Sequence, residues 1–277
     1  MVGYTIIDAN TLGKIFALAK TEEAVRIRFD QRRITIFNLV LDGTACIFLE
    51  SDTWHDPSSK PPLLLQSKAD NQTMATTLEV PVGPLCKVLQ TITSLYQDQG
   101  VTADLDVIDP ALRFTATQSN GRKIMETTIQ SFHVDTEEST DISQDLRNLE
   151  YPHHIPFQIP LLLTRVPKEK KKDVGITICS DQLIFTSKDD LAENKTYYTF
   201  EAVELLGIRE NWVEVLAHTV VDLFRTTLAT MVDLGRRSQP QSATATMDLA
   251  EDLPIAIKCN VPGTMLQVFF SPKETGD

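Results

Sequence analysis

Several features that would direct this sequence to a particular class of protein are scarce or missing. Its 277 residues include only four cysteines, at positions 46, 86, 179 and 259, and no C-x-x-C pair. Such spacing is typical of free thiols in a reducing compartment rather than of a disulfide framework or a zinc site. No run of 18 apolar residues occurs, and the first residues lack the basic and apolar regions of a signal peptide. We therefore expect neither a membrane span nor secretion.

The common sequence motifs of enzymes are also missing. There is no phosphate-binding G-x-x-x-x-G-K-[ST] loop, and no G-x-G-x-x-G, G-x-S-x-G or H-E-x-x-H. The adjacent pair His153 and His154 would point to opposite sides of an extended chain, which disfavours a metal site there. We therefore predict a protein that is not an enzyme and that uses no metal or cofactor.

Basic residues are outnumbered, with 26 Lys and Arg against 38 Asp and Glu, so the net charge is −12. Their distribution is uneven. Four predicted helical windows, residues 10–20, 82–96, 159–172 and 215–232, hold nine basic and two acidic residues, a net charge of +7 that leaves −19 elsewhere. Cationic helices on an acidic body suit a surface that neutralises phosphates without reading bases.

A plainer interpretation of the basic windows stays open. Lysine and arginine are good helix formers and are often found on solvated helix faces. Glutamate forms helices equally well, however, and windows 10–20 and 82–96 contain no acidic residue at all. A second qualification concerns window 159–172, because Pro167 predicts that this helix ends near Val166. The run 168–172 is then a loop.

The two halves of the sequence share an order of elements. In the first half, an extended stretch at residues 4–7 precedes a helix for which Asn10 is the expected N-cap. The alternation of Val25, Ile27 and Phe29 predicts the first arm of a hairpin, and Leu85 and Leu89 belong to the apolar stripe of a second helix over residues 82–96. Three strands with turns at residues 108–110 and 119–121 close this half.

The second half repeats that order. Phe157 lies in an extended stretch, Pro160 marks the start of a helix, and a hairpin turns at residues 180–182. A long helix over residues 215–232 and three closing strands follow, with Arg236 and Arg237 in a polar loop. Each half therefore predicts β-α-βββ-α-βββ, an α+β duplication. The acidic stretch 135–151 is typical of an exposed linker, so we predict domains over residues 1–133 and 152–277 joined by a linker over 134–151.

Two C-terminal stretches carry a family resemblance: DLPIAIK at residues 252–258 and LQVFFSPK at residues 266–273. They resemble the closing strands of the eukaryotic and archaeal sliding clamps, the proliferating cell nuclear antigen (PCNA) family. The hairpin 34–50 and the helix 82–96 are similar to the matching elements of the family's first domain. The resemblance implies a homotrimeric ring of clamp domains, with antiparallel sheets outside and helices lining a hole for duplex DNA. Strands 123–129 of one chain and 196–201 of the next would form the interface.

The resemblance also assigns candidate sites. The residues expected to face DNA are Lys14, Lys20, Lys87, Arg165, Lys168 and Arg225. A pocket beneath the linker would accept a short aromatic-bearing peptide, and its candidate residues are Leu39, Gly43, Cys46, Leu146, Leu149, Pro254, Phe269, Phe270, Ser271 and Pro272. Because neighbours on a strand face opposite sides, one of the two phenylalanines is expected in the core.

The function implied is that of a DNA sliding clamp, a processivity factor that tethers DNA polymerase and recruits replication and repair proteins. A clamp-loading ATPase would open the ring, and the compartment would be the nucleus or the replication compartment of a virus-infected cell. Three alternatives stay open: a subunit of a hetero-oligomeric checkpoint-type clamp, a viral processivity factor that forms no ring, and an acidic peptide-binding scaffold that does not act on DNA.

Overall fold

The computed structural model describes residues 2–20, 22–30, 32–40, 45–54, 62–68, 75–96, 100–134, 145–146, 148–166, 173–179, 182–188, 193–199, 213–238, 244–250 and 253–271. The chain divides into two compact units. Unit 1 consists of Met1–Asn38, Ile47–Asn148 and Pro262–Met265, and unit 2 of Leu39–Cys46, Leu149–Val261 and Leu266–Asp277. Each unit therefore takes in a short piece of the other half of the sequence.

The first half of the chain contains ten strands and two helices among its described residues. They are β1 (Val2–Ile6), α1 (Ala9–Leu18), β2 (Ala24–Phe29), β3 (Arg33–Val40), β4 (Ala45–Asp52), β5 (Leu65–Ser67), β6 (Thr76–Pro81), α2 (Val82–Leu95), β7 (Val101–Ile108), β8 (Ala111–Gln118), β9 (Lys123–Gln130) and β10 (Phe132–His133). The strands run antiparallel in the order β5-β1-β7-β8-β9 and in the order β10-β6-β2-β3-β4.

The second half follows the same plan. Its elements are β11 (His153–Gln158), α3 (Ile159–Arg165), β12 (Asp173–Cys179), β13 (Gln182–Lys188), β14 (Glu193–Thr199), β15 (Val213–Val220), α4 (Val221–Ser238), β16 (Thr244–Leu249), β17 (Ile255–Val261) and β18 (Thr264–Phe270). The strand orders are β14-β13-β12-β15 and β11-β16-β17-β18. The helices α3 and α4 pack against each other, as α1 and α2 do in unit 1.

The strand orders confirm the predicted duplication. The order β4-β3-β2-β6 in the first half corresponds to β14-β13-β12-β15 in the second, and β1-β7-β8-β9 corresponds to β11-β16-β17-β18. In both halves, the strand before each long helix runs directly into it, since Pro81 is followed by Val82 and Val220 by Val221. The fold is therefore α+β, built twice from the same arrangement of antiparallel strands and two helices.

The predicted count of seven strands in each half was too low, because the described residues hold ten strands in the first half and eight in the second; the short strands β5 and β10 were not predicted. The sequence analysis left out β6, and it assigned residues 215–220 to a helix although they belong to β15. Val220 continues the helical spacing of Phe224 and Leu228, which explains the misassignment. Pairing with β12 decides the strand, with Val174 opposite Thr219 and Ile176 opposite Ala217. Helix α4 consequently begins and ends about two turns later than predicted and includes Arg236 and Arg237, which were expected in a loop.

Apolar stripes place α1 and α2 on the sheets of unit 1. The buried side chains include Leu12 and Phe16 of α1 and Leu85 and Leu89 of α2, as their spacing predicts. Together with Ile27, Phe29, Ile34, Leu65, Leu105, Leu112 and Phe114 they surround a small apolar cavity of about 10 Å³. Because this core face of each helix lies against strand side chains, the opposite face of each helix points away from the sheets.

Two predicted helix ends can be compared with the structure. Helix α1 begins at Ala9 and is capped by Asp8, whose Oδ1 accepts a hydrogen bond from the Thr11 backbone N–H at 3.0 Å, so the prediction of Asn10 as the cap was wrong. Helix α3 ends at Arg165, and Val166 has the extended backbone, φ −62° and ψ 131°, that a residue before proline prefers. The predicted end near Val166 is confirmed.

Candidate nucleic-acid and peptide interfaces

Helices α1 and α2 pack against each other, and we call their solvent-exposed side the cationic helix face; three lysines of unit 1 belong to it: Lys14 of α1, Lys20 just after α1, and Lys87 of α2. All three are exposed. The two helices approach closely, since a Cβ on Gly13 would lie 3.5 Å from the Leu89 Cβ. Lys20 is near enough to α2 for its charge to lower the pKa of the Cys86 thiol, which burial raises. Three of the six residues predicted to face DNA thus occupy exposed positions on, or just after, two helices that pack against each other.

The cationic helix face lacks opposing charge on its own helices. Neither α1 nor α2 contains an aspartate or glutamate. The exposed residues near Lys87 on α2 are neutral and polar, and the hydroxyl of Thr91 donates to the Lys87 carbonyl oxygen at 3.0 Å while that of Ser94 donates to the Gln90 carbonyl oxygen at 3.1 Å. Gln90, Thr91 and Ser94 were missed by the sequence analysis, although their spacing from Lys87 by three, four and seven residues is the signal of a shared face.

The five-stranded sheet of unit 1 has a different electrostatic character. There the basic side chains are paired with carboxylates: Lys68 Nζ lies 2.7 Å from Asp104 Oδ2, and Arg113 Nη2 lies 3.1 Å from Asp106 Oδ2. Elsewhere in the unit, Arg33 lies within 3.5 Å of both Glu50 and Asp52. Pairing of this kind leaves little net positive charge to attract a polyanion. The helices α1 and α2 differ from that sheet in carrying lysines and no acidic residue.

In unit 2 the predicted DNA-facing residues are only partly described. Arg225 of α4 is half-buried, and its Nη1 donates a hydrogen bond to the Val166 carbonyl oxygen at 2.8 Å. This contact ties α4 to the end of α3, so Arg225 has a structural role whatever else it binds. Arg165 is the last residue of α3, but its side chain is outside the described part of the chain, as is Lys168 altogether.

The four helices carry less positive charge than predicted. As the structure bounds them, they contain Lys14, Lys87, Arg165, Arg225, Arg236 and Arg237 against Asp222 and Asp233, a net charge of +4 rather than +7. Leaving out Lys20, which follows α1, and residues 168–172, which follow α3, removes four charges, and the later end of α4 adds one through Asp233, Arg236 and Arg237. The helices nevertheless remain positive on a negative chain, because the net charge of −12 leaves −16 on the residues outside the helices.

The candidate peptide pocket falls mostly in unit 2. Leu39 is 40% exposed, Leu149, Pro254 and Ser271 are half-buried, and Cys46 is buried. Burial raises the pKa of the Cys46 thiol to about 12. Leu146 is half-buried in unit 1, while Gly43 and Pro272 lie outside the described residues.

Phe269 and Phe270 occupy opposite faces of β18. The Phe270 ring lies 5.5 Å from that of Phe224 on α4, so Phe270 belongs to the core, as predicted for one of the pair. Phe269 therefore faces away from the helices, yet it is only 2% exposed. The Phe269 side chain is consequently buried at its position on this face of β18, rather than open to solvent.

The two strands predicted to join neighbouring chains are both edge strands. Among the described residues, β9 pairs with β8 alone and β14 pairs with β13 alone. Residues 200 and 201 of the second predicted interface strand lie outside the described part. Strand β9 carries Ile124, which is 36% exposed, and no other described strand pairs with the outer edge of β9. Exposed strand edges of seven or eight residues are ready to accept another strand.

Comparison with known proteins identifies the architecture. No protein-family model matches the sequence, and no curated protein is significantly similar to it. The structure, by contrast, resembles that of the PCNA2–PCNA3 complex of Sulfolobus tokodaii, with a TM-score of 0.67, 13% identity, and coverage of 98% of this chain and 99% of that one. It resembles PCNA of Entamoeba histolytica equally well, with a TM-score of 0.67, 14% identity and coverage of 98% of both chains. The chain has the PCNA fold.

The PCNA fold confirms the resemblance noted in the C-terminal strands, at the level of architecture. Identities of 13% and 14% carry no residue roles, so the DNA-facing and pocket residues stay predictions. Within the described residues, no group of three or more His, Cys, Asp and Glu side chains could hold a metal ion, and no helix is long and apolar enough to cross a bilayer.

Proposed function

We propose that the protein is a DNA sliding clamp, a processivity factor that encircles duplex DNA and tethers a DNA polymerase to its template. The observation that carries this proposal is the cationic helix face, with three exposed lysines and no acid on α1 or α2, in a chain of PCNA fold whose net charge is −12. Diffuse attraction to phosphates is indifferent to base sequence and register, and therefore permits sliding. An acidic exterior would confine DNA to that face.

The internal duplication supports a ring that closes head to tail. Within unit 1, the end of β4 meets the start of β18: the Asp52 N–H donates to the Gly263 carbonyl oxygen at 2.7 Å, and the hydroxyls of Ser51 and Thr264 lie 2.9 Å apart. In the duplicated plan, β14 corresponds to β4 and β9 corresponds to β18. The same kind of junction would therefore form between β14 of one copy and β9 of the next, and a homotrimer would close the ring.

The remaining parts of the proposal concern partners. Encirclement turns rebinding of a polymerase into an intramolecular event, which raises its effective concentration at the template. Replication and repair proteins would bind through short peptides at the pocket around Leu39 and Pro254, and a clamp-loading ATPase would open the ring. We propose a non-enzymatic role, in the nucleus or in the replication compartment of a virus-infected cell.

A second candidate is a subunit of a hetero-oligomeric clamp. The similarity to the PCNA2–PCNA3 complex, in which two different PCNA chains associate, favours it. The edges of β9 and β14 would then pair with related but different chains. The mass of the purified protein in sedimentation equilibrium distinguishes the two: a homotrimer has three times the mass of the chain, whereas a hetero-oligomeric subunit stays below that mass until its partner chain is added.

The decisive experiment measures topological retention. Protein is incubated with linear duplex DNA, both ends are then blocked with streptavidin, and the complex is washed at high salt. A closed ring stays on the blocked DNA and leaves after a restriction enzyme cuts it. Loss from blocked DNA at every protein concentration would reject encirclement and would favour a clamp that forms no ring or a peptide-binding scaffold.

The role of the cationic helix face is tested with matched charge reversals. The variant Lys87→Glu should lose a large part of its low-salt affinity for DNA. Arg28→Glu is the control, because Arg28 is exposed on β2 between Ile27 and Phe29, whose side chains line the core, and so points away from the helices. Equal losses in both proteins would show that total charge, and not this surface, governs binding. Arg225 is not used, since its contact with Val166 makes a change there structural as well.

A further inference from the structure

The sheet of unit 1 that contains β2 has an outer face, on the side opposite to the helices, where arginine and phenylalanine occur together. Ile27 and Phe29 of β2 are buried and line the apolar cavity shared with α1 and α2. Because side chains alternate along a strand, Arg26 and Arg28 lie on the opposite side. We call this outer surface the arginine–phenylalanine face; its members are Arg26, Arg28, Phe37, Glu79, Phe132 and Val134.

The register of the strands fixes the order of four of these side chains. On β6, Glu79 is opposite Phe132 of β10 on one side and Arg26 of β2 on the other. Arg26 is in turn opposite Phe37 of β3. Opposite residues share a face of the sheet, so one row across four strands consists of phenylalanine, glutamate, arginine and phenylalanine. The row is about 14 Å long, because neighbouring strands are about 4.8 Å apart.

A second row lies beside the first, two residues further along each strand. Arg28 is opposite Thr77 of β6 and Thr35 of β3. On the far side of Thr77, the Val134 backbone N–H donates to the Thr77 carbonyl oxygen at 3.3 Å, which continues the row to the edge of the sheet. Arg28 is therefore about 6.7 Å from Arg26 along the strand, twice the rise per residue. Each row ends at this edge in an apolar residue.

The apolar members of the face are accessible to a partner. Phe132 is 68% exposed, the greatest exposure of any large apolar side chain in the described part of the chain. Phe37 and Val134 are half-buried. Burial of this apolar surface against a partner is favourable, because it removes the surface from water. The edge of the sheet at β10 therefore provides an apolar anchor point.

The arginines of the face differ from the basic side chains of the five-stranded sheet. There, Lys68 and Arg113 each lie within 3.1 Å of a carboxylate oxygen. By contrast, neither Arg26 nor Arg28 forms an ion pair with another described residue, and this includes Glu79, although Glu79 is opposite Arg26. The two guanidinium groups are thus available to carboxylates from outside the chain.

We propose that the arginine–phenylalanine face binds an acidic polypeptide segment in extended conformation, with carboxylates two residues apart and an aromatic or large aliphatic side chain that covers Phe132. Residues i and i+2 of an extended segment lie about 6.7 Å apart on one side, which is the spacing of Arg26 and Arg28. Each guanidinium can hold a carboxylate through two parallel N–H···O bonds. The face shares no residue with the cationic helix face or the candidate peptide pocket, so the proposal goes beyond the sliding-clamp function and does not depend on it.

Glu79 favours a polypeptide over a nucleic acid as the occupant. Its carboxylate lies in the row between Phe132 and Arg26, where it repels a phosphate and meets no donor on a phosphodiester backbone. A polypeptide can offer a backbone N–H, a hydroxyl or an ammonium group to the same carboxylate. With two arginines and one glutamate, the face carries a net charge of only +1, which is small for a surface that binds a phosphate chain.

Selection from a displayed library of random dodecapeptides tests the face without a known partner. The library is first depleted on the double variant Arg26→Gln, Phe132→Ser and is then selected on the unchanged protein. Depletion removes peptides that bind elsewhere, including those at the candidate pocket. We expect the retained peptides to share carboxylates two residues apart together with an aromatic or large aliphatic residue. Retention of no peptide, or of peptides without acidic residues, would overturn the proposal.

Single variants then locate the binding of a retained peptide, measured by fluorescence anisotropy. Arg26→Gln and Arg28→Gln should each weaken binding by about two- to fivefold, the range of an exposed ion pair. Arg122→Gln is the matched control, because it removes the same charge from an exposed turn between β8 and β9. Equal weakening in Arg122→Gln would show that total charge alone governs binding and would overturn the face.

Two other occupants are outcomes of the same experiments. Tighter binding of labelled oligothymidylate than of any retained peptide, lost in Arg26→Gln, would show that the face binds nucleic acid. A fall in the mass of the assembly in Phe132→Ser, measured by sedimentation velocity, would show that a second copy of the chain covers the face. Either result would overturn the peptide proposal. None of these measurements uses encirclement of duplex DNA, so failure here is distinguishable from failure of the sliding-clamp proposal.

Discussion

At the scale of single residues, burial governs the reactivity of the cysteines. It raises the pKa of Cys46 to about 12 and that of Cys259 to about 11, so both thiols are protonated at neutral pH. Cys86 is half-buried on α2, and although burial raises its pKa too, the charge of Lys20 lowers it. A thiolate, rather than a thiol, reacts with a disulfide reagent.

We expect Cys86 to be labelled before Cys46 and Cys259 in the native protein, as read by mass spectrometry. Lys20→Gln should slow the labelling of Cys86, because loss of the positive charge raises the pKa of the thiol and lowers the thiolate fraction. Lys68→Gln removes the same charge on the sheet side of unit 1 and should leave the rate unchanged. Equal slowing in both variants would contradict the placement of Lys20 beside α2.

Two glycines in hairpin turns differ in how closely the chain approaches them. Gly121 and Gly263 both have positive φ, 81° and 73°, but nothing lies within 4 Å of a Cβ at Gly121, whereas one at Gly263 would lie 3.3 Å from Asp52 Oδ2. Alanine should cost about 1–2 kcal/mol at Gly121 for the backbone conformation, and more at Gly263 for the added crowding. Urea unfolding of both variants checks the order; equal costs would show that Asp52 moves aside freely.

At the scale of elements, the sequence correctly predicted the apolar stripes of α1 and α2 but misplaced the start of α1. The stripe of Leu12 and Phe16 on α1 and that of Leu85 and Leu89 on α2 were predicted, and these side chains are buried. The cap was misplaced because Asp8 and Asn10 are both good N-cap residues, and only the path of the chain from β1 decides between them. Similarly, β15 could be distinguished from a helix only through its partner β12.

The cap of α1 gives a matched pair of substitutions. Asp8→Ala removes the side-chain acceptor of the Thr11 N–H and should destabilise the protein by about 0.5–2 kcal/mol. Asn10→Ala changes an exposed position in the first turn, where alanine is the better helix former, and should be neutral or slightly stabilising. Thermal and urea unfolding measure both. A greater loss of stability with Asn10→Ala than with Asp8→Ala would show that Asn10 is the cap, as the sequence predicted.

Strand β9 allows a test of assembly at the same scale. If β9 pairs with a second copy, Ile124→Lys places a charge at that junction and should weaken association by about tenfold or more, or about 1.4 kcal/mol. Thr102→Lys is the control, because Thr102 is exposed on β7, which has neighbouring strands on both sides. Sedimentation velocity over a dilution series measures both. An unchanged mass of the assembly in Ile124→Lys would show that β9 does not form the interface.

At the scale of the whole molecule, the important property is the separation of charge between helices and the rest of the chain. If the cationic helix face releases counterions from DNA, the logarithm of affinity falls linearly with the logarithm of salt concentration, by about 0.9 for each phosphate neutralised. Replacing Lys14 or Lys87 by glutamine should therefore lower the slope by about one unit. Arg28→Gln should leave it unchanged, and fluorescence anisotropy with duplex DNA measures all three. An equal change for Arg28→Gln would show that the binding surface is not confined to the helices.

The α+β duplication, most of the strands and helices, and the concentration of lysine on helices without acid could be predicted from the amino-acid sequence. These features depend on side-chain spacing, turn residues and composition, which act over a few positions. Tertiary contacts were needed to show that β9 and β14 lie at edges, that Arg225 donates a hydrogen bond to Val166, and that His154 lies beside Asp248. Such contacts join residues far apart in the chain, and local rules hold no information about which distant partner a strand edge, a guanidinium or an imidazole will meet.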